Sequence, residues 1–169
     1  PEWLIDEWVR RWSKESMAEI CEAYSLRAPV VVRVRQSALD EVREALHQEN
    51  IDFQEGYSPT CLRLAGGVDP RNHRFFEEGK WISQDEGSQW VIDSIEIPPG
   101  SSVLDYCAGT GTKTTQIAEA AGPNGRVVAM DIQRAKLDEL ERLCRRWGQT
   151  IEVHQGDGRK QSPLQGEQF

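Results

Sequence analysis

Residues 101–115 read Ser-Ser-Val-Leu-Asp-Tyr-Cys-Ala-Gly-Thr-Gly-Thr-Lys-Thr-Thr, and this stretch decides the fold. Pro98-Pro99-Gly100 punctuates the chain just before it. Val103 and Leu104 therefore belong to a short apolar run of the kind that makes a buried parallel strand. Gly109 and Gly111 follow the strand-ending Asp105 and let the backbone turn tightly against a ligand, because no Cβ stands in the way. Lys113 to Ala121 is rich in helix formers, puts Ile117 and Ala121 on one face, and stops at Gly122-Pro123. Strand, glycine turn and helix in this order form a site for a nucleotide-type cofactor.

Working outward downstream, Arg126–Asp131 is a second apolar strand ending in an acid. Ala135 to Trp147 carries Leu137, Leu140, Leu143, Cys144 and Trp147 on one side and is closed by Gly148, as a helix end requires. A third strand, Thr150–His154, runs into Gln155-Gly156-Asp157-Gly158. Three strands alternating with two helices predict a parallel sheet with right-handed crossovers. Arg159 to Phe169 is polar and predicts no element.

Upstream, Lys80–Ser83 reads as a short strand, and Ser83-Gln84-Asp85-Glu86 fits a capping box opening a helix with Trp90, Val91 and Ile95. Ala65-Gly66-Gly67 and Asp69–Asn72 form the most loop-like stretch, so the boundary falls here, between a domain of residues 1–70 and a second of 71–169. In the first domain Leu4, Trp8 and Trp12 recur at helical spacing to about Ser13, and Met17, Ile20, Cys21 and Tyr24 repeat the pattern from Lys14 to Ser25. This predicts a helical hairpin whose bulky residues enter the core. Val30–Arg35 is a β-branched strand on whose open face Arg33 and Arg35 are expected to be solvated. Ser37 is placed to cap a helix with Leu39, Val42, Ala45 and Leu46 as its stripe, and Ile51–Phe53 and Cys61–Leu64 are strand candidates. The order predicts a small α+β domain.

Composition narrows the class. The chain has 169 residues, 38% of them hydrophobic, and a formal net charge of −8, which fits a packed core and speaks against nonspecific coating of nucleic acid. A local basic patch, from Arg71, His73 and Arg74 or from Arg145 and Arg146, stays compatible with that total, although paired basic residues are more often simply solvated. Cys21, Cys61, Cys107 and Cys144 are widely spaced without a C-x-x-C pair, which predicts neither a metal site nor disulfides and suits a reducing compartment. No apolar stretch has membrane-spanning length and the first residues do not resemble a signal peptide, so a cytoplasmic protein is expected, with oligomeric state open.

The residues of the glycine turn sort the cofactors that use such turns. A phosphate-binding P-loop needs its first glycine farther from the lysine than Gly109 is from Lys113. A dinucleotide fold favours a third glycine where Thr114 stands. Asp131, ending the second strand, can accept from ribose hydroxyls of a dinucleotide or of S-adenosylmethionine. An acid ending each of the first two strands, a small-residue turn between them, and Gly156-Asp157 after the third match the layout of class I methyltransferases.

Asp105 to Thr114 resembles the D-x-C-A-A-P-G-G-K-T motif of the RsmB/Sun family of RNA cytosine-C5 methyltransferases. Pro1-Glu-Trp-Leu-Ile, Gln84-Asp85-Glu-Gly-Ser88-Gln89 and Val153-His-Gln-Gly-Asp-Gly-Arg159 agree in order, so the resemblance spans essentially the whole chain. It implies an α/β fold in which an incomplete class I methyltransferase Rossmann-like parallel sheet follows a small α+β RNA-recognition-like domain. It further implies S-adenosyl-L-methionine as cofactor, with contacts from Cys107, Ala108, Gly109, Thr110, Gly111, Thr112, Lys113, Asp131, Lys136 and Asp157, and ribosomal or transfer RNA as substrate. Thr110 and Thr112 depart from the family's Pro and Gly, and a β-branched Thr112 would be strained if its position demands positive φ. The family's nucleophilic cysteine and its Pro-Cys motif have no counterpart here, and Cys21, Cys61, Cys107 and Cys144 are all poor substitutes. The expectation is the front part of an enzyme, without turnover alone and with an unpaired sheet edge that favours association. A different class I methyltransferase, a noncatalytic binding module and an NAD-dependent oxidoreductase are the alternatives.

Overall fold

The β-branched run Val30–Val34 (β1) becomes an interior strand of a four-stranded antiparallel sheet in the computed structural model of the chain, which describes residues 1–65, 67–160, 164 and 166–169. Gly66 of the expected boundary loop and residues 161–163 and 165 of the polar tail lie outside the described residues. The strand order is β2-β3-β1-β4, with β2 Phe53–Glu55, β3 Cys61–Leu64 and β4 Trp81–Ser83. Val32 is paired with Leu62 on one side and with Ser83 on the other. One face takes the helix Leu39–Gln48 (α3), whose Leu39, Val42, Ala45 and Leu46 are buried against Val32, Val34, Leu62 and Leu64. Ser37 does not cap α3. It sits in a 3-10 turn, Gln36–Ala38, and the cap position falls to Ala38 without a side-chain bond.

β4 arises beyond the 70/71 boundary, after the short helix Arg74–Glu77 (α4), and completes the N-terminal sheet. Trp81 anchors it: the ring is fully buried and its indole N–H donates to the Pro70 carbonyl at 2.9 Å, so no polar atom is stranded.

The N-terminal hairpin forms as Glu2–Arg11 (α1) and Lys14–Ser25 (α2), but neither helix contains a buried residue. Trp3 is 70% exposed and Trp12 50% exposed, which corrects the expectation that this stripe enters the core. Trp8 instead meets Trp12 and Tyr24, with ring centroids 6.1 Å apart in each pair. Helical periodicity fixes which residues share a face, not what lies opposite. Trp3→Ala is accordingly expected to change unfolding free energy by no more than about 0.5 kcal/mol, as for an ordinary surface site; urea denaturation is the check.

The second sheet is parallel, in the order β5-β6-β7, from Ser102–Asp105, Arg126–Asp131 and Glu152–Gln155. Leu104 pairs with Val128 and Met130 with His154. Helix Glu86–Asp93 (α5) and helix Thr112–Ala121 (α6) bury Ile92, Ile117 and Ala121 with Val127 on one face, and helix Arg134–Arg146 (α7) buries Leu137, Leu140 and Cys144 with Ala129 on the other.

Two local readings change at the junction of the sheets. Ser83 is held in β4, so the cap of α5 is Asp85, accepting from Ser88 N at 3.2 Å, and Glu86 turns to the Arg63 guanidinium at 2.5 Å instead of back to its own helix. The side of α5 with Trp90 and Val91 faces outward, and Gln89 and Ile92 are the buried pair. Arg33 is 1% exposed: the sheet face expected to be open is covered by the second unit.

Candidate cofactor-binding site

The glycine turn is held from three directions. Thr114 Oγ1 donates to Asp105 Oδ2 at 2.7 Å, tying the first turn of α6 to the end of β5. Ala108 N donates to the Met130 carbonyl at 2.9 Å, fastening the turn to β6, and Gly111 N donates to the Ala108 carbonyl at 3.0 Å. Gly109 and Gly111 have φ of +56° and +89°, the left-handed region that glycine enters without penalty. A Cβ on Gly109 would meet nothing within 4 Å, whereas one on Gly111 would lie 2.6 Å from Leu140 Cγ. Thr112 starts α6, and among the described residues only Ser13 and Asn50 combine a side chain with positive φ. The strain considered for Thr112 does not arise, because the left-handed position is Gly111.

Asp131 ends β6 beside this turn. Its Oδ2 accepts from Gly109 N and its Oδ1 from Gln133 N, both at 2.9 Å. Each oxygen keeps a lone pair for another donor. The Gln133 N–H, then the Gly109 N–H and the charge of Lys136 hold this carboxyl below the usual carboxylate range, against partial burial that pushes the other way. Gly156 N donates to the Asp131 carbonyl at 3.1 Å, which brings the loop after β7 to the same edge. Asp157 is there, its carboxylate held below the usual range by Arg159, which contacts it through Nε at 2.9 Å and Nη2 at 3.0 Å.

The sheet thus gathers Ala108, Gly109, Gly111, Asp131 and Asp157 along the carboxyl ends of its strands. Thr112 and Lys113 form the first turn of α6, and Lys136 acts through its charge on Asp131. Cys107 and Thr110 are exposed positions of the turn. Two further residues of this edge escaped the reading of the sequence. Ile132 follows the acid directly and is 51% exposed, an apolar surface where a loop would ordinarily be polar. Tyr106 spans the edge, its hydroxyl donating to the Gly158 carbonyl at 2.7 Å. An apolar residue immediately after a strand-ending acid is the signal that identifies the first. The second leaves no sequence signal, since the contact joins distant loops.

These residues fit S-adenosylmethionine. Asp131 offers ionised acceptor positions for a ribose diol, Ile132 an apolar face for a flat ring, and the N–H groups opening α6 lack intrahelical partners and attract a carboxylate. The open space over Gly109 is the room such a ligand needs. Among the described residues no cluster of three or more His, Cys, Asp or Glu could hold a metal ion, and no helix is long and apolar enough to cross a membrane.

The cysteines divide by burial. Desolvation pushes the Cys61 thiol up to about 12 and the Cys144 thiol up to about 11, so neither forms a thiolate near neutrality. Cys107 is exposed. A disulfide reagent at mildly alkaline pH should modify Cys107 rapidly in the folded chain and reach Cys61 and Cys144 only after unfolding, as peptide mapping of labelled protein would reveal.

A parallel sheet carrying an acid, a glycine turn and a second acid at its carboxyl edge defines a class I methyltransferase domain, here preceded by a small α+β unit. A family model described as 16S rRNA methyltransferase RsmB/F matches residues 94–169, and one for the ferredoxin-like domain of RsmF/B-like methyltransferases matches residues 1–70. The chain belongs to the RsmB/Sun family, whose cofactor is S-adenosylmethionine. Ribosomal RNA small subunit methyltransferase B of Klebsiella pneumoniae is 34% identical over 163 residues, covering 94% of this chain and 37% of that protein. The crystal structure of PH0851 superposes with a TM-score of 0.86 at 26% identity, covering 95% of this chain and 37% of that one. A methyltransferase homolog from Pyrococcus horikoshii shares the fold, with a TM-score of 0.76 at 21% identity over 86% of this chain and 48% of its own. The chain spans about a third of the length of the curated relatives it matches.

Proposed function

We propose that this chain supplies the cofactor-binding part and an RNA-facing part of an S-adenosylmethionine-dependent methyltransferase that forms 5-methylcytosine in RNA. The observation that carries the reading is the ionised Asp131 carboxylate, fixed by Gly109 N and Gln133 N with acceptor capacity left over at the carboxyl edge of the sheet. Ribosomal RNA is favoured over transfer RNA by the names of the relatives. The likeness of residues 105–114 to the family motif supports cytosine C5 as the acceptor.

In this reading Cys107, Ala108, Gly109, Thr110, Gly111, Thr112 and Lys113 wrap the cofactor's methionine end, Asp131 holds the ribose with Lys136 supporting its charge, and Asp157 approaches the base. The cofactor supplies an electrophilic methyl group on a sulfonium. The chain's own residues bind and orient it, and exclude water where Ile132 covers the ring. Residues 1–70, with β4 completing their sheet, form the RNA-recognition-like unit, and the segment from 71 onward leads into the cofactor unit. None of the four cysteines is placed to act as the nucleophile: Cys61 and Cys144 are buried thiols, Cys107 stands in the cofactor turn, and the half-buried Cys21 belongs to α2 of the N-terminal hairpin. By itself this chain therefore binds the cofactor without turnover, in the cytoplasm, where such RNA resides. Calorimetric titration with S-adenosylhomocysteine, with NAD as control, tests the reading: saturable binding of the first alone supports it, and binding of NAD alone overturns it.

A further inference from the structure

Arg33 has no assigned role, and its placement is costly. It lies in a strand otherwise made of valine, 1% exposed, and removing a guanidinium from water is unfavourable by several kcal/mol unless partners replace the solvent. Burial does pull its pKa down, opposed chiefly by Glu119, yet a guanidinium stays protonated. Its partners are specific. Nε donates to Gln84 Oε1 at 2.8 Å, Nη1 pairs with Glu119, and Nη2 donates to Thr115 Oγ1 at 2.6 Å and to the Thr112 carbonyl at 3.4 Å. The face of the guanidinium stacks on Trp147, 4.3 Å from the ring centroid.

Three of those contacts fall on α6, and two of them on its first turn. Thr115 Oγ1 both accepts from Arg33 and donates to the Thr112 carbonyl at 2.9 Å, so that carbonyl is held directly and through a relay. The peptide group is planar, so fixing the Thr112 C=O fixes the Lys113 N–H, which points the opposite way, toward the glycine turn. A cation on the carbonyl side also polarises that N–H into a stronger donor. The buried amides of Gln84 and Gln116, 3.0 Å apart, brace the same helix one turn further on.

We propose that Arg33 is a positioning residue: from the N-terminal sheet it sets the first peptide of α6, and with it the shape and donor strength of the turn that receives the cofactor. This rests on the cofactor reading of that turn. A plain role in joining the two units is distinguished by Arg63, which also crosses the junction, to Glu86 on α5, without touching α6.

The test compares Arg33→Lys, Arg63→Lys and Thr115→Val in the full chain, by titration with S-adenosylhomocysteine, thermal unfolding and amide NMR shifts. Arg33→Lys keeps the charge but loses the planar fork, and loss of one or two hydrogen bonds to a charged group corresponds to about tenfold weaker binding. Arg63→Lys is expected to leave affinity within about twofold of wild type while lowering the unfolding temperature, by less than Arg33→Lys because its ion pair is more exposed. Thr115→Val should weaken binding in the same direction, and the double variant Arg33→Lys/Thr115→Val no further than Arg33→Lys alone. The Lys113 amide should move in Arg33→Lys and not in Arg63→Lys. Wild-type affinity in Arg33→Lys, or equal losses in Arg33→Lys and Arg63→Lys, overturns the inference while the site reading stands on the wild-type titration. Wild-type protein that binds no S-adenosylhomocysteine removes both. Should Arg33→Lys fail to fold, unchanged affinity in Thr115→Val overturns the inference by itself.

Discussion

Asp131→Ala is expected to abolish saturable binding of S-adenosylhomocysteine, with affinity reduced at least about 100-fold. The magnitude follows from the two ribose hydroxyls. Each hydrogen bond to an ionised acceptor contributes about 1.5–3 kcal/mol, and about 1.4 kcal/mol is a factor of ten. The alanine also leaves Gly109 N and Gln133 N without their acceptor, loosening the turn and the start of α7 together. Asp131→Asn separates these effects, since its amide keeps one acceptor oxygen but turns an N–H group toward a backbone N–H, so binding should fall nearly as far. The pH dependence has a definite sign. A carboxyl held below its usual range stays ionised above the ordinary carboxylate pKa, and its contribution is lost only as pH falls through the depressed value. Affinity should therefore be flat between about pH 6 and pH 8 as far as this group is concerned. A binding midpoint inside that window would assign the ribose to some other residue.

Gly111→Ala is expected to destabilise the chain by about 2–5 kcal/mol, from about 1–2 for a side chain in left-handed backbone and about 1–3 for overpacking. The new Cβ would lie 2.6 Å from Leu140 Cγ, on a helix α7 that cannot retreat without opening the core around Leu137 and Ala129. Gly109→Ala is the internal control. Its Cβ would enter open space, leaving only the backbone term of about 1–2 kcal/mol. Urea unfolding of the two variants side by side should separate them clearly, and equal losses would mean that Leu140 does not back the turn. In ligand titrations the order can invert, because the space beside Gly109 is where the cofactor is proposed to lie.

The cofactor half was legible because its central strand β6 is a continuous buried apolar run and acids end its first two strands. Arg126–Asp131 forms as read, and α7 needed only a shift of one residue at each end. The N-terminal half was legible in its elements and not in its surfaces. The alternation of Val and Arg in β1 predicts one wet face, and that inference fails because a second unit covers it. Nothing near residue 33 announces that its partners lie at 84, 112, 115 and 119. The cap of α5 shows a smaller version of the same limit. Ser83 and Asp85 both precede the helix at plausible distances, and pairing of Ser83 with Val32 across the sheet decides between them. In the glycine turn, the sequence marks the two glycines as the flexible positions but not which residue takes left-handed backbone next to the helix; Gly111 does, and Thr112 opens α6.

β4 has a consequence for how the two halves can be separated. Its backbone closes the ladder of β1 opposite Val32, Arg33 and Val34, and the seam continues through Arg35 N to the Lys80 carbonyl at 2.7 Å. A cut after residue 70 would strip this border from the N-terminal sheet, exposing a valine-rich ribbon ready to recruit any passing chain. The N-terminal sheet is finished only by the stretch that leads into the second unit, so neither can be spliced elsewhere at that point as a self-sufficient cassette.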